Sequence, residues 1–227
     1  MTAPDRRNLI GIDLDGTIED SRDDMVAAAV RVRHGLGLPP RADELLRPYV
    51  NGGMEQLYRA CFDDFLGAGP EKRLRIVQQA YEADYLANVC VDTKLYDGIA
   101  DALHGLVRLG MLVCVTNKPE RISRALLEAL GVGDLFSSVV GGDSCAHAKP
   151  HPVMLETAAA RCGFDRARGT AFMIGDTNGD IQLARAYGAN VVWCAWGYVS
   201  APSEAPDAQA RHPQELFGIL EQRIRAV

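Results

Sequence analysis

The sequence offers no run of residues long and apolar enough to cross a bilayer, which takes about 20 in succession. It also has no excess of positive charge: Lys and Arg number 24 against 30 Asp and Glu, for a formal net charge of −6. Without a basic balance the chain lacks the electrostatic footprint of general nucleic-acid binding. An anionic ligand is still admissible, because a bound cation reverses the field locally. None of the six cysteines (Cys61, Cys90, Cys114, Cys145, Cys162, Cys194) forms a C-x-x-C pair, so the expectation is buried free thiols in a reducing cytosol. The apolar stretch nearest the start is short and is interrupted by Asp13, which does not make a signal peptide. Together these absences predict a cytoplasmic protein with neither a membrane nor a nucleic acid as partner.

What remains is an ordinary globular composition, 48% hydrophobic and 24% charged over 227 residues. That is room for one large domain, or a domain with an insert, and for a sizeable core. Five apolar runs read as buried parallel strands: Leu9–Asp13, Leu112–Thr116, Ser138–Val140, Thr170–Ile174 and Asn190–Ala195. Gly98–Leu109, Arg121–Leu130 and Asp180–Tyr187 show helical spacing, with Gly110, Gly131 and Gly188 where C-terminal caps belong. Strands alternating with helices predict an α/β fold with a doubly wound, mostly parallel sheet.

Residues 21–88 hold no convincing strand. They read as helices over Asp23–Gly35, Arg41–Tyr49, Met54–Phe65 and Glu71–Leu86, punctuated by glycine and proline. A crossover between parallel strands needs only one helix. The segment is therefore expected to be an inserted helical domain, 20–88, with 1–19 and 89–227 forming the α/β core. Ser200–Arg211, rich in Ala and Pro, reads as a linker.

The stretch Gly11-Ile-Asp-Leu-Asp-Gly-Thr-Ile-Glu-Asp-Ser21 places Asp13 and Asp15 at the end of an apolar strand. Unpaired buried charge is costly, so a positive partner is expected. In doubly wound sheets ligands sit beyond the carboxyl ends of the strands. The other strand ends carry Thr116-Asn117-Lys118, a loop reaching Lys149-Pro-His-Pro152, and Gly175-Asp-Thr-Asn-Gly-Asp180. Asp13, Asp176 and Asp180 are hard oxygen donors suited to Mg²⁺, and the absence of histidine near the ends of the first and fourth of these strands speaks against zinc. Lys149 adds a fixed positive charge, Thr116 a hydroxyl, and the helix beginning near Pro119 a set of backbone N–H groups. Such a set describes a phosphate site. Asp13 can serve as nucleophile, Asp15 as general acid and base, and Gly16 lets the chain turn after them.

The motifs DLDGTIEDS, TN, KPHP and GDTNGD, in this order, resemble those of the haloacid dehalogenase-like hydrolase superfamily, with a Rossmann-like core, over nearly the whole chain. Within it the resemblance is to the phosphoglycolate phosphatase group, through Leu36-Gly-Leu-Pro-Pro40, Asn51-Gly-Gly53, Lys94-Leu-Tyr-Asp-Gly98, Val140-Gly-Gly-Asp143 and Trp196-Gly-Tyr198. Asp97 stands where that group often has Pro. The resemblance implies Asp13 as nucleophile and Mg²⁺ ligand, and Asp15 as acid/base that also ligates the metal through its backbone carbonyl. Thr116 and Asn117 would bind the transferring phosphoryl group and Lys149 would stabilise it. Asp176 would ligate the metal directly, and Asp180 directly or through water. The helical insert would be a cap whose Asn51, Gly52 and Gly53 turn faces substrate. Arg47 and Arg59, which bracket that turn in sequence, read as solvated helix charge, with contact to a substrate carboxylate as the alternative.

Other residues read more plainly. Glu19 and Asp20 are assigned no chemistry, and Asp20-Ser21 reads as a helix N-cap. Lys118 reads equally as lining the site or as solvated. Asp143 is expected to brace the Lys149 loop, His147 and His151 to lie on the surface, and Trp193 and Trp196 to pack in the core. The expected activity is Mg²⁺-dependent hydrolysis of a small phosphorylated metabolite, with 2-phosphoglycolate first among candidates, by a monomer or homodimer. Alternatives are a sugar phosphomutase, a pyrophosphatase or nucleotidase of the same superfamily, and a non-enzymatic phospho-receiver.

Overall fold

The computed structural model describes residues 7–50, 53–67 and 70–226. Along the chain the strands are β1 Leu9–Ile12, β2 Glu19–Asp20, β3 Lys94–Leu95, β4 Met111–Val115, β5 Ser138–Val140, β6 Ala171–Gly175, β7 Asn190–Cys194 and β8 Ala208–Ala210. The helices are α1 Arg22–Gly35, α2 Asp43–Val50, α3 Met54–Cys61, α4 Asp63–Leu66, α5 Pro70–Ala87, α6 Ile99–Leu106, α7 Glu120–Ala129, α8 Val153–Cys162, α9 Asn178–Tyr187 and α10 Leu216–Arg225. The chain divides into two compact units. One holds the chain up to Asp20 and from Leu95 onward; the other is Ser21–Lys94.

The first unit is built on a six-stranded sheet in the order β5-β4-β1-β6-β7-β8, with every pairing parallel. Strands β1 and β6 are buried along their whole length, as expected for parallel strands covered on both faces. Side chains alternate across the sheet. Leu9, Val113, Val115, Met173, Val191 and Trp193 share a core with Met154, Leu155 and Ala158 of α8 and Ile181 and Ala184 of α9. Intervening residues such as Ile10, Ile12, Cys114, Phe172 and Ile174 are equally buried. The strands after β1 extend first to one side of it (β4, β5) and then to the other (β6–β8), so the order reverses at β1. Ile12 lies opposite both Cys114 and Ile174, so the residues that follow β1, β4 and β6 leave the sheet together at the carboxyl ends of the strands.

Two features of this unit depart from the sequence reading. Within Ser200–Arg211, Ala208–Ala210 is a strand, not linker. It pairs with β7, and Asp207 beside it accepts the Val191 N–H at 2.8 Å while donating its own N–H to Val191 O at 3.0 Å. Trp193 is core as expected, whereas Trp196 is half-buried and donates its indole N–H to Thr17 O at 3.1 Å.

The second unit, Ser21–Lys94, packs α1, α2, α3 and α5 around Met25, Ala28, Leu46, Leu57, Phe62, Val77 and Tyr81. Tyr81 meets Tyr58 edge-on and stacks on Tyr85, and its hydroxyl donates to Met25 O at 3.0 Å. The helix expected over Met54–Phe65 is broken at Phe62 into α3 and α4. The cause is Arg33, almost wholly buried. Its guanidinium donates to Cys61 O at 2.5 Å, a carbonyl that a continuous helix would give to the Phe65 N–H. Phe65 N–H turns instead to Phe62 O at 2.9 Å. Arg33 also donates to Pro39 O at 2.7 Å and pairs with Asp64 at 2.7 Å. Ser21 occupies the N-cap position of α1, but its side chain makes no capping bond. In α1, Asp24 binds the returning chain, accepting from the N–H groups of Val91, Asp92 and Thr93 and from the Thr93 hydroxyl.

All six cysteines are free thiols. Burial pushes Cys61 up to about 11 and raises Cys114 and Cys194 well above the usual range, so these three stay protonated and inert at neutral pH. Among the described residues no helix is long and apolar enough to cross a membrane.

Candidate active site

Asp13 follows β1 directly, and its N–H still donates to Ile174 O of β6 at 2.9 Å, so its backbone is held as rigidly as the strand. Its carboxylate is nearly buried, and Oδ1 accepts the Leu14 N–H at 2.8 Å and the Lys149 ammonium at 2.6 Å. Asp176 follows β6. Its Oδ1 accepts from the Thr17 hydroxyl at 3.1 Å and its Oδ2 from the Tyr198 N–H at 2.6 Å. Asp180 sits in the first turn of α9 and closes a capping box with Thr177, whose N–H and hydroxyl reach Oδ2 at 3.0 and 2.6 Å. Its other oxygen, Oδ1, accepts from Lys149 at 2.8 Å.

Asp13, Asp176 and Asp180 each present an oxygen within 4.8 Å of the others, and all three are buried. Burial, then the charge of Asp180, raises the Asp13 carboxyl well above the usual range despite the opposing pull of Lys149. Burial and Asp180 push Asp176 up to about 6. Burial alone would weaken the Lys149 ammonium, yet facing Asp13 and Asp180 it is held above its ordinary value. One ammonium among three close carboxylates leaves the cluster with an excess of negative charge. An all-oxygen donor set of that charge fits a hard divalent cation such as Mg²⁺.

The geometry of the turn after Asp15 explains its glycine. Gly16 has φ +78, and a Cβ there would lie 2.5 Å from Asp176 Oδ2. The residue is therefore fixed both by conformation and by the carboxylate it approaches.

The residues after β4 have distinct roles. Thr116 is buried, and its hydroxyl oxygen accepts the Lys118 N–H at 3.1 Å. The Asn117 side chain is engaged with the Lys149 peptide: its Oδ1 accepts the Lys149 N–H at 2.9 Å and its amide reaches Lys149 O at 3.5 Å. The structure thus places this side chain on the backbone of the lysine that grips Asp13. Asp143 accepts the Glu120 N–H at 2.7 Å, bracing the start of α7 and not the Lys149 loop, and so takes one of the amides that the sequence offered to an anion. His147 and His151 are exposed, with rings 4.6 Å apart, as expected of a surface loop.

Lys118 resolves to a buried side chain. Its ammonium lies 2.5 Å from Asp15 Oδ1 and 3.9 Å from Oε1 of Glu19, which is itself fully buried. The sequence assigned neither Lys118 nor Glu19 a definite role. The available signal was the placement of Glu19 beside apolar Ile18, since a buried acid needs a cation close by.

Of the helical-unit residues expected at a substrate, Asn51 and Gly52 lie outside the described residues. Gly53 precedes α3 with φ +86. Arg47 is paired with Asp23, and Arg59 with Glu55 at 2.9 Å and Glu71 at 3.8 Å, all on exposed parts of that unit.

Known proteins resemble this chain over most of its length. The family model described as haloacid dehalogenase-like hydrolase matches residues 10–194. A phosphoglycolate phosphatase of Nitrosococcus oceani is 34% identical over 219 residues, covering 94% of this chain and 96% of that protein. An N-acetylmuramic acid 6-phosphate phosphatase of Pseudomonas aeruginosa is 29% identical, covering 96% and 97%. A crystal structure described as a predicted phosphoglycolate phosphatase from Haemophilus somnus superposes with a TM-score of 0.79 at 26% identity, covering 93% of this chain and 97% of that one. The chain belongs to the haloacid dehalogenase-like hydrolase family, as a phosphatase with its motif residues gathered beyond the carboxyl ends of the strands of a parallel sheet.

Proposed function

We propose that this phosphatase hydrolyses a small organic phosphate monoester, 2-phosphoglycolate first, through a phosphoryl group carried on Asp13. The observation that carries the reading is the asymmetry of the Asp13 carboxylate. Both Leu14 N–H and Lys149 meet Oδ1, which leaves Oδ2 to attack phosphorus. In the first step the Asp13 Oδ2–P bond forms as the P–O bond to the leaving group breaks, and Asp15 gives that oxygen a proton. In the second, Asp15 takes a proton from water as the water oxygen bonds to phosphorus, and Asp13 departs with the electron pair.

Asp13, Asp176, Asp180 and the backbone carbonyl of Asp15 would hold Mg²⁺, which when bound offsets negative charge on the phosphoryl oxygens. Asp180 is also the residue that fixes Lys149 and the start of α9, through Oδ1 to the ammonium and Oδ2 to Thr177. Thr116 and the Asn117 backbone would receive the phosphoryl oxygens. The Asn117 side chain would hold Lys149 in place, and Lys149 would stabilise charge as it moves. The helical unit Ser21–Lys94 would be the cap, with Asn51, Gly52, Gly53 and Arg47 as its candidate contacts to substrate.

The substrate assignment draws on the N. oceani relative. The P. aeruginosa relative supports a second reading, a larger sugar phosphate. Phosphate release from 2-phosphoglycolate, N-acetylmuramic acid 6-phosphate, a hexose phosphate, a nucleoside monophosphate, pyrophosphate and an aryl phosphate, each with and without Mg²⁺, separates them. The proposal expects Mg²⁺-dependent turnover with the highest kcat/KM on 2-phosphoglycolate. A higher value on a sugar phosphate replaces the substrate, and conversion to an isomeric phosphate without phosphate release replaces the reaction.

A further inference from the structure

We propose that Lys118 is a positioning residue that holds Asp15 for the second half-reaction, the hydrolysis of the phosphorylated Asp13; the inference rests on the two-step reading above. The Lys118 side chain is 2% exposed and its ammonium sits 2.5 Å from Asp15 Oδ1, whereas Asp15 is 21% exposed and so borders space that water can reach. The lysine is anchored from several sides. Its N–H donates to Thr116 Oγ1 at 3.1 Å, its carbonyl accepts the Gly142 N–H at 3.1 Å, and Glu19 stands 3.9 Å from the ammonium. The backbone of Asp15 is likewise fixed by its bridge to Glu19.

A carboxylate has two oxygens and about four acceptor sites. An ammonium on Oδ1 therefore sets the rotamer of Asp15 without exhausting its capacity to accept a proton. Water is small and carries no binding group of its own, so its attack depends on the base being oriented in advance. With an aryl phosphate whose leaving group is a stable anion, such as nitrophenolate, the first departure needs no proton from Asp15 and so depends less on Lys118. The two half-reactions should therefore respond differently to loss of the lysine.

The experiment compares wild type with Lys118→Met on p-nitrophenyl phosphate, by steady-state and rapid-mixing kinetics with Mg²⁺ present. Here kcat/KM reports only the steps through release of nitrophenolate, while kcat includes hydrolysis of the phosphorylated enzyme. The expected result is a kcat lowered by about 100-fold, the scale of general-base catalysis. KM should fall with it, so that kcat/KM changes far less. A burst of one nitrophenolate per site and accumulation of protein carrying one phosphoryl group should accompany the split. Equal losses in kcat and kcat/KM without a burst would overturn the proposal and make Lys118 a phosphate contact or a prop of the fold. If the Met variant fails to fold, Lys118→Arg keeps the charge but moves the donor, and the same split is expected there with a smaller loss. Failure of the two-step reading itself looks different: wild type would show no phosphorylated Asp13, and Asp13→Asn would stay active, whatever Lys118 does.

Discussion

The ammonium of Lys149 lies 2.6 Å from Oδ1 of Asp13, and the two side chains are 4% and 6% exposed. The contact joins a loop beyond β5 to the end of β1, and it depends on Asn117, which holds the Lys149 peptide. Replacing Lys149 with Met should lower kcat by about 100- to 1,000-fold, the usual effect of removing a donor aimed at transition-state charge. It should also cost about 3–5 kcal/mol of stability, because buried carboxylates lose their cation. Steady-state kinetics and urea unfolding check both; a variant that keeps its activity contradicts the assignment.

Asn117→Ala should impair the enzyme through Lys149. A small displacement of a catalytic group can cost about 100-fold, so kcat should fall toward that extent with the fold intact. Amide exchange at Lys149 should speed up, since its N–H loses the Asn117 acceptor. Normal exchange with reduced activity would instead mean that the Asn117 side chain contacts the substrate.

Asp176→Asn should raise the Mg²⁺ concentration for half-maximal activity by at least about tenfold, as loss of a metal partner generally does. In wild type a chelator should abolish turnover and added Mg²⁺ restore it. An unchanged Mg²⁺ titration in the variant removes Asp176 from the metal site.

The helical unit should have an acid-sensitive lock. The Arg33 guanidinium bonded to Asp64 holds that carboxyl below the usual carboxylate range. A carboxyl with a depressed folded value binds protons less readily when folded than when unfolded. Its contribution is therefore complete above the unfolded value of about 3.9 and is lost as pH falls from there through the folded value. Asp64→Asn should weaken the unit at pH 7, hydrogen bonds to charged groups being worth about 1.5–3 kcal/mol, and should flatten the pH dependence below pH 4. Urea unfolding followed by circular dichroism at pH 7 and pH 3 tests this, and identical pH dependence in both proteins contradicts it.

The core strands could be read in advance because β1, β4, β6 and β7 are nearly continuous apolar runs, the mark of strands covered on both faces. Strand β8 could not, since Ala-Gln-Ala has neither β-branched nor aromatic residues and is held by its partner β7 and by Asp207. In α8 the apolar stripe Met154, Leu155, Ala158 and Ala159 is diluted by small side chains. The break between α3 and α4 depends on Arg33, far away in sequence, which no local period can register. The site divides in the same way. Asp13, Lys149, Asp176 and Asp180 were legible because each ends or follows a strand of a doubly wound sheet. The pairing of Lys118 with Asp15 and the grip of Asn117 on Lys149 were not, because both follow from the register of strands distant in sequence.

The central claim is that Asp13 carries the phosphoryl group, and the most direct measurement is to trap it. Wild type and Asp13→Asn would be mixed with 2-phosphoglycolate and Mg²⁺, quenched in acid within milliseconds, and examined by peptide mass spectrometry, with phosphate release followed in parallel. The expected result is one phosphoryl group on the peptide bearing Asp13 in wild type, and neither label nor turnover in the variant. Wild-type phosphate release with no label at Asp13, or turnover surviving in Asp13→Asn, would contradict it.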